Sequence, residues 1–351
     1  MPKETMSSRE RWLAVLQRKK PDRVPMDYWA TAEATDRLCK YLGCDFDEAL
    51  RRLHIDIPLP VWGHYVGPKP PEGQDIWGLK HRAINYGTGT YYEVANAPLG
   101  EYTSVEEIER NYRWPTVDDW DFSHIPDRVK GKEDRPVRGG QCEPFLLYCQ
   151  LRGLERAFQD LVEYPEIVEY CLGKLFDLAY ESTRRIFEII PGRVTFCYVA
   201  EDLGSQRGLL MSKEHIKRFL FPGMKRMIDL AHSAGVYVFH HDDGAIRDII
   251  PDLIELGIDI LNPIQWRLPG MDREGLKRDF GDKLIFHGGV DNQVTLPFGT
   301  PADVRREVEE NLAILGAGGG YILAPCHNIQ SVSPPENVVA MYEAGYELGW
   351  S

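Results

Sequence analysis

The nine residues from position 237 join a short apolar run to four adjacent titratable side chains and a glycine, in the order YVFHHDDGA. Along an extended chain successive side chains point to opposite faces, so His241 and Asp243 share one face, and His240 and Asp242 share the other. A His-x-Asp pair on one face can bind a metal ion, whereas aspartates that follow a strand can also cap the next helix. We assign Asp243 to the ligand role and Asp242 to the capping role.

The chain contains eight short apolar or β-branched runs, at residues 23–28, 53–58, 136–142, 194–200, 237–240, 258–262, 283–287 and 321–325. Between many of these runs the apolar residues recur at helical spacing, as in 155–189, 213–234 and 301–315. Strands that alternate with helices predict a parallel sheet with crossover helices. Eight such units favour a closed (β/α)8 TIM barrel, an α/β fold of roughly 250 residues. A doubly wound open sheet is the competing architecture, but it usually carries a glycine-rich phosphate loop, which is not visible here.

The length of the chain leaves room for an insertion after the second strand, which we place at residues 61–134. The segment 67–73 is rich in proline and glycine, and residues 87–94 alternate in polarity. These features are typical of a β-hairpin, which we expect to lie over one mouth of the barrel. The prediction is therefore one barrel domain over residues 1–351, with the insertion covering its mouth.

In a TIM barrel the loops at the carboxyl ends of the strands converge on one mouth, where the chemistry takes place. Four histidines lie at predicted strand ends in the second half of the chain. They are His240, His241, His287 and His327. Their convergence favours a functional site over isolated structural roles. His327 or the neighbouring Cys326 would complete an open metal site with the His-x-Asp pair.

The charge balance of the chain limits the classes of partner. Its 351 residues include 41 Lys and Arg against 54 Asp and Glu, a formal net charge of -13. Without a basic run, this balance disfavours nucleic acid, an anionic membrane and a polyanionic ligand, and it fits a small neutral molecule or a protein partner better. Seven cysteines without a CxxC pair suggest neither a zinc ribbon nor disulfides, and no apolar run approaches the ~18 residues of a membrane span. We expect a soluble cytoplasmic protein.

Several segments resemble the uroporphyrinogen decarboxylase superfamily, which also contains the cobalamin-dependent methyltransferases. They are residues 240–265, GGVD at 288–291, ILAPCHNIQ at 322–330 and PPENV at 334–338. The resemblance extends from residues 8–12 to residue 349 and implies a (β/α)8 barrel, which agrees with the strand count. It also implies a possible homodimer.

The methyltransferase branch resembles the chain more closely than the true decarboxylases do. The decarboxylases carry an Arg-Gln-Ala-Gly-Arg motif after the first strand for the substrate carboxylates, whereas residues 26–33 here read MDYWATAE. The methyltransferases hold zinc with a His-x-Cys pair after strand five and a further Cys after strand eight. The resemblance places His241 and Asp243 on the pair and Cys326 or His327 on the last position, and the spacing from Glu336 favours His327. Compared with thiolates, imidazole and carboxylate ligands leave the metal ion more Lewis-acidic, which suits a substrate that binds the ion through oxygen.

This resemblance suggests a methyltransferase that moves a methyl group from a small methoxylated or methylated substrate to a corrinoid (cobalamin) on a partner protein. A divalent metal ion, zinc by analogy, would act as the Lewis acid. Glu201 or Asp202 would be the fourth ligand or a general acid. The side chains expected to wall the mouth or orient the substrate are Tyr28, Trp29, Trp62, Tyr91, Tyr92, Gln265 and Asn328.

Two other functions remain open from the sequence. One is a metal-independent decarboxylase or lyase that acts on a small acid with a histidine and Asp56, which the resemblance places near the essential aspartate of the decarboxylases. The other is a non-catalytic barrel that binds a corrinoid or tetrapyrrole protein.

Overall fold

The computed structural model describes residues 3–87 and 89–350. The strands of this part of the chain are β1 (Leu59–Val61), β2 (His64–Tyr65), β3 (His81–Asn85), β4 (Thr90–Val94), β5 (Trp120–Asp121), β6 (Val137–Cys142), β7 (Phe196–Val199), β8 (Tyr237–His241), β9 (Ile260–Asn262), β10 (Ile285–Val290) and β11 (Tyr321–Pro325).

The α-helices of the same residues are α1 (Ser8–Leu16), α2 (Ala32–Leu42), α3 (Phe46–Arg52), α4 (Val105–Asn111), α5 (Ile125–Val129), α6 (Pro144–Arg152), α7 (Leu154–Glu163), α8 (Pro165–Ile189), α9 (Lys213–Phe219), α10 (Phe221–Ser233), α11 (Ile250–Leu256), α12 (Arg273–Phe280), α13 (Thr295–Phe298), α14 (Pro301–Ile314) and α15 (Pro335–Leu348). A short 3-10 helix covers Val117–Asp119. No helix among the described residues has the length and apolarity needed to cross a membrane.

A curled parallel sheet of seven strands organises the described residues, in the order β1-β6-β7-β8-β9-β10-β11. Six of its strands coincide with predicted apolar runs, from β6 to β11. The α/β class is therefore confirmed, and the curled sheet is consistent with a TIM-like barrel. Helices follow most of these strands and cover the outer face of the sheet, as parallel crossover connections require.

The first two predicted strands differ from the observed sheet. Residues 53–58 are not a strand, and β1 begins one residue later, at Leu59. Residues 23–28 form two isolated bridges instead of a strand: Met26 pairs parallel with Leu323 of β11, and Arg23 pairs antiparallel with Trp350. The backbone N–H of Asp56 donates to the carbonyl of Met26 at 2.6 Å. The segment 23–28 therefore bonds to Leu323 on one side and to Asp56 on the other. Pro25 and Pro58 carry no N–H group, which explains why neither segment continues as a regular ladder.

A hairpin is present between β1 and β6, as predicted. Strands β3 and β4 pair antiparallel with His81 opposite Val94, and β2 and β5 form a second antiparallel pair. The hairpin begins earlier than the predicted 87–94 segment because its first strand is His81–Asn85, and Thr88 lies outside the described residues. That residues 61–134 form an insertion over the mouth remains a prediction.

Helix α1 covers the amino ends of the sheet strands. Ser7 and Glu10 form a capping box that starts the helix. Trp12 is fully buried and stacks on Phe196, the first residue of β7, with ring centroids 5.2 Å apart. Its cluster also contains Val15, Leu16, Phe239, Ile260, Ile285 and Ile322. Because this apolar layer fills the amino end, the carboxyl ends of the strands remain as the open edge.

Asp56 belongs to a buried ion-pair network rather than to a catalytic site. Its carboxylate accepts hydrogen bonds from Arg11 at 2.5 Å and from Arg23 at 2.8 Å, and also from Ser8. Both guanidinium groups and the carboxylate are almost completely buried. The predicted catalytic role of Asp56 is therefore corrected: it joins α1 to the segment beside Met26.

We expect Asp56→Ala to lower the free energy of unfolding by about 3–5 kcal/mol, because it leaves two buried guanidinium groups without their common carboxylate. Urea unfolding followed by circular dichroism measures the change. The matched control is Asp36→Ala, which removes an exposed pair with Lys40 and should cost under about 0.5 kcal/mol. A similar small loss for both variants would contradict the structural role of Asp56.

Candidate metal centre

Three side chains from the carboxyl ends of β8 and β11 meet at one point. His241 is the last residue of β8, Asp243 follows it by two positions, and His327 lies two positions after the end of β11. Each offers one ligand atom within 4.8 Å of the other two. His327 Nε2 lies 3.5 Å from Asp243 Oδ2. The structure thus brings together the three residues that the sequence selected, and we call them the metal group.

The register of β8 explains why His241 faces this point and His240 does not. His241 lies opposite Asn262 of β9, two residues beyond Phe239, which packs on the inner face of the curled sheet. His240 points to the other face, where its Nδ1 donates to the carbonyl of Val199 at 2.7 Å. Alternation along the strand therefore separates the two histidines as predicted.

A tight turn at Gly244 lets Asp243 reach the metal group. Gly244 has φ +101, and a Cβ atom at this position would collide with the backbone of Gly204 and Ser205. Only glycine fits this conformation and this space without strain. Asp242 was predicted to cap the helix that follows the strand, and this prediction is wrong. The next helix begins only at Ile250, and the Asp242 carboxylate instead accepts a hydrogen bond from the N–H of Leu203 at 2.8 Å.

A chain of hydrogen bonds fixes the protons on two histidines. His287 Nε2 lies 3.0 Å from a carboxylate oxygen of Asp27. Because that oxygen can only accept a hydrogen bond, a His287 ring with one proton carries it on Nε2. His287 Nδ1 then accepts from the amide nitrogen of Asn262 at 2.8 Å. The amide oxygen of Asn262 consequently accepts from His241 Nδ1 at 2.6 Å. This leaves the lone pair of His241 Nε2 free for a metal ion.

The residues of the metal group suit a divalent cation. Burial lowers the pKa of His241 to about 4, which keeps its imidazole neutral, and burial also lowers the pKa of His327. Burial, with the nearby carboxylates of Asp202 and Asp242, raises the pKa of Asp243 to about 7. Asp243 Oδ1 is buried without a hydrogen-bond partner among the described residues. Two neutral imidazoles and an unsatisfied carboxylate oxygen match the ligands that zinc takes in catalytic sites.

The two acids predicted as fourth ligand or general acid have different positions. Asp202 Oδ1 lies 3.7 Å from His241 Nε2, and its side chain is 37% exposed. Glu201 is fully buried, and both its carboxylate oxygens lie 3.1 Å from the N–H of Phe145 in the first turn of α6. Burial raises the pKa of Glu201 well above its usual range. The prediction for Glu201 is therefore corrected, because its carboxyl group caps a helix, whereas Asp202 lies beside the metal group.

Two aromatic rings border the metal group. The ring of Trp29 lies edge-on to His241 at 5.1 Å and stacked on His327 at 5.4 Å, measured between centroids. The ring of Tyr198 stacks on His241 at 5.9 Å. Trp29 was predicted to contact substrate and lies where it can do so, whereas Tyr198 was not assigned a role.

Tyr28 lies in the core rather than in the site. Its hydroxyl bonds Thr35 at 2.9 Å, and its ring packs between Phe46 and Tyr342. Tyr28 and Trp29 are adjacent, so their side chains take opposite directions, and the predicted contact of Tyr28 with substrate is corrected for that reason.

Cys326 is not part of the metal group. Its thiol is buried and donates to the carbonyl of Ile264 at 3.1 Å, and burial raises its pKa well above the usual range. The ambiguity between Cys326 and His327 is thus resolved by the direction of the side chains. Gln265 accepts a hydrogen bond from the N–H of Gly244 at 2.6 Å and supports the turn. A role for Asn328 in substrate binding stays a prediction.

Two cavities open at this edge of the sheet. A cavity of about 360 Å³ is lined by Asp243, His327, Gln265 and neighbouring residues of the 204–206 and 292–293 loops. A larger one, of about 700 Å³, is lined on one side by Trp62, Trp77, Trp120 and Phe122, and on the other by Gln141, Glu143 and Tyr198. Tyr91 and Tyr92 are exposed and do not line either cavity.

Comparisons with known proteins agree on one family. A family model described as uroporphyrinogen decarboxylase (URO-D) matches residues 124–348. A protein named uroporphyrinogen decarboxylase from Legionella pneumophila (strain Corby) is 35% identical over 231 residues, which cover 63% of this chain and 61% of the relative. The chain therefore spans about three fifths of that relative in the match. Another protein named uroporphyrinogen decarboxylase, from Shewanella pealeana, is 24% identical, and the match covers 97% of that protein and 97% of this chain.

Among solved structures, a methyltransferase from Methanosarcina mazei matches 97% of this chain and 99% of its own, with a TM-score of 0.70 and 18% sequence identity. At this level of identity the likeness shows a shared fold.

We expect Asn262→Leu to weaken zinc binding by roughly ten- to a hundredfold, because His241 loses the acceptor that fixes its proton on Nδ1. Competitive titration against a chromogenic chelator measures the affinity. Asn311→Leu is the matched control, since Asn311 is an equally buried asparagine. It lies on α14, and its side chain accepts a hydrogen bond from Arg273 instead of contacting His241. Equal zinc affinity in the two variants would show that the Asn262 hydrogen bonds do not support the site.

Proposed function

Because the chain belongs to the uroporphyrinogen decarboxylase family, we propose that it is a corrinoid-dependent methyltransferase-like enzyme that takes a methyl group from a small methoxylated or methylated substrate. The observation that carries this proposal is the metal group, in which His241, Asp243 and His327 offer ligand atoms within 4.8 Å of one another. Its position at the carboxyl ends of parallel strands is the usual position of active sites in this architecture.

A divalent ion held by these three residues, zinc in the simplest case, would act as a Lewis acid on a substrate oxygen while a corrinoid on a partner protein accepts the methyl group. The substrate loses its methyl group when the carbon–oxygen bond breaks with both electrons left on oxygen. The chain contributes orientation of the ligands through Asn262, exclusion of water on one side through Trp29, and a carboxylate ligand through Asp243.

Asp202 is the residue placed to return a proton to the departing oxygen. Its Oδ1 lies 3.7 Å from His241 Nε2, next to the metal group but without a short bond to it. The side chain is partly exposed, so it can exchange protons with water between turnovers. Glu201 cannot take this role because its carboxyl group is occupied at the start of α6.

A decarboxylase is the second candidate, because the curated relatives carry that name. Two features of the chain oppose it. Asp56, the acid that this mechanism would use, is bonded to Arg11 and Arg23 on the side of α1. In the segment 26–33 there is no arginine, and its Asp27 is bonded to His287. A non-catalytic barrel is the remaining alternative.

The finer architecture forms part of the same proposal. We infer a closed (β/α)8 barrel in which residues 23–28 serve as the first strand, supported by the bonds of this segment to Leu323 and Asp56. We also infer that residues 61–134 cover the mouth, since Trp62, Trp77, Trp120 and Phe122 line the same cavity as Gln141 and Tyr198. The partners would be a small molecule and a corrinoid protein.

We expect the purified protein to bind about one zinc ion per chain and His241→Ala to lose it, because one of three ligands is removed. Elemental analysis after dialysis against trace zinc measures the content. Cys326→Ala is the matched control and should keep the ion, since its thiol faces Ile264. Loss of zinc from Cys326→Ala but not from His241→Ala would refute the ligand set.

We expect the zinc-loaded protein to transfer methyl groups from members of a panel of methoxylated and methylated compounds to added cob(I)alamin, followed by the absorbance change of the corrinoid. His241→Ala should lower the rate by roughly a hundredfold or more, because the charge developing on oxygen loses its stabilisation. Release of carbon dioxide from small acids without any methyl transfer would favour the decarboxylase instead.

A further inference from the structure

The larger cavity at the carboxyl edge of the sheet has mainly aromatic and aliphatic walls. Its volume of about 700 Å³ is typical of a small-molecule binding site. Leucines of α6 and α8 line one part of it. Five aromatic side chains also line it: Trp62, Trp77, Trp120, Phe122 and Tyr198. The face of an aromatic ring carries partial negative charge, so these walls suit an apolar molecule or a cation better than an anion.

Glu143 is the one charged side chain among the described residues that line this cavity, and no Lys, Arg or His is among them. It is half-buried, and its carboxylate forms neither a hydrogen bond nor an ion pair with a described residue. Burial and the nearby carboxylate of Asp202 raise the pKa of Glu143 to about 7, and no cation of the described residues lowers it. Arg138 packs on the Tyr198 ring but does not line the cavity. The protein therefore leaves an acid in a largely apolar cavity without a counterion.

A second polar group of the cavity also lacks a partner. Thr183 of α8 lines the cavity and is fully buried. Its hydroxyl oxygen has no hydrogen-bond partner among the described residues. A buried hydroxyl without a partner costs free energy, and a ligand that donates a hydrogen bond to this oxygen would remove that cost.

The cavity adjoins the metal group. The ring of Tyr198 lines the cavity and stacks on the imidazole of His241, with centroids 5.9 Å apart. The carboxylate of Glu143 contributes to the raised pKa of Asp243, so these two acids interact electrostatically. Asp243 and Asp202, when ionised, carry two negative charges at the metal group, which a divalent ion balances. The charge of Glu143 is then left for one further positive group.

We propose that this cavity binds an organic ammonium group, so that the substrate is a small cationic methyl ether whose charged nitrogen lies between Glu143 and the aromatic rings. Its methyl-bearing oxygen would reach the metal group, and in that respect the inference rests on the proposed function. Aromatic faces attract an ammonium group, and a carboxylate in the same cavity supplies its counterion. An N–H of the ammonium group can also donate to the hydroxyl oxygen of Thr183. A bound cation in turn favours the ionised form of Glu143.

The experiment compares para-methoxybenzylamine, which is a cation at neutral pH, with para-methoxybenzyl alcohol, which is neutral and has nearly the same shape. Both molecules can donate a hydrogen bond, so the difference between them reports the charge. Calorimetric titration of the chelator-treated protein measures the two affinities. Because the titration needs neither metal nor methyl transfer, failure of the methyl-transfer proposal leaves this test intact. We expect the amine to bind wild-type protein roughly tenfold or more tightly than the alcohol.

Glu143→Gln should weaken the amine by roughly tenfold or more and leave the alcohol unchanged, because it removes the charge and keeps the shape of the side chain. The matched control is Glu343→Gln on α15, which removes an exposed carboxylate outside the cavity and should bind the amine as the wild type does. Circular dichroism checks that all variants are folded.

Equal affinity of the wild type for the amine and the alcohol overturns the proposal. Unchanged affinity of Glu143→Gln for the amine also overturns it, because the cation would then bind at the vacant carboxylates of Asp202 and Asp243. An equal loss in Glu143→Gln and Glu343→Gln would show that only the overall charge of the protein matters, which again contradicts a site in the cavity.

Discussion

The hydrogen bond between His241 Nδ1 and the amide oxygen of Asn262 is the interaction on which the metal group depends. An amide can present its oxygen or its nitrogen, and only the oxygen forces the imidazole proton onto Nδ1. The orientation of the amide is set at the far end of this chain of bonds. There the carboxylate of Asp27 accepts a hydrogen bond from His287 Nε2, so His287 Nδ1 accepts from the amide nitrogen of Asn262. The carboxylate of Asp27 thereby leaves the lone pair of His241 Nε2 free for a metal ion.

The fold supplies this chain through the register of its parallel strands. Inward residues of β8, β9 and β10 come at the same height, so that His241, Asn262 and His287 stand in a row. The segment around Met26, which bonds to Leu323 of β11, places Asp27 at the end of that row. The apolar layer below is covered by Trp12 of α1, so the polar side chains of this row lie at the carboxyl ends of the strands.

Sequence reasoning found the metal group because its two rules act locally. Alternation along the strand separated His241 from His240, and the resemblance to the methyltransferases, counted from Glu336, favoured His327 over Cys326. The predictions were wrong where packing decides the direction of a side chain. Tyr28 points into the core, Glu201 bonds the start of α6, and Asp56 forms ion pairs with two arginines. Asn262, His287 and Asp27 all stood at recognised strand ends, but their hydrogen bonds join three strands and a bridge. No local pattern reveals such bonds.

The distribution of charge around the metal group is unfavourable for a ligand with many carboxylates. The segment 26–33, where the decarboxylases carry arginines, has two acids here, and Asp27 serves the histidine row instead of a ligand. Asp202 and Asp243 lie at the metal group, and Glu143 lines the larger cavity at the same edge of the sheet. These acidic surroundings favour a cation such as a divalent metal ion and oppose a ligand with several carboxylates.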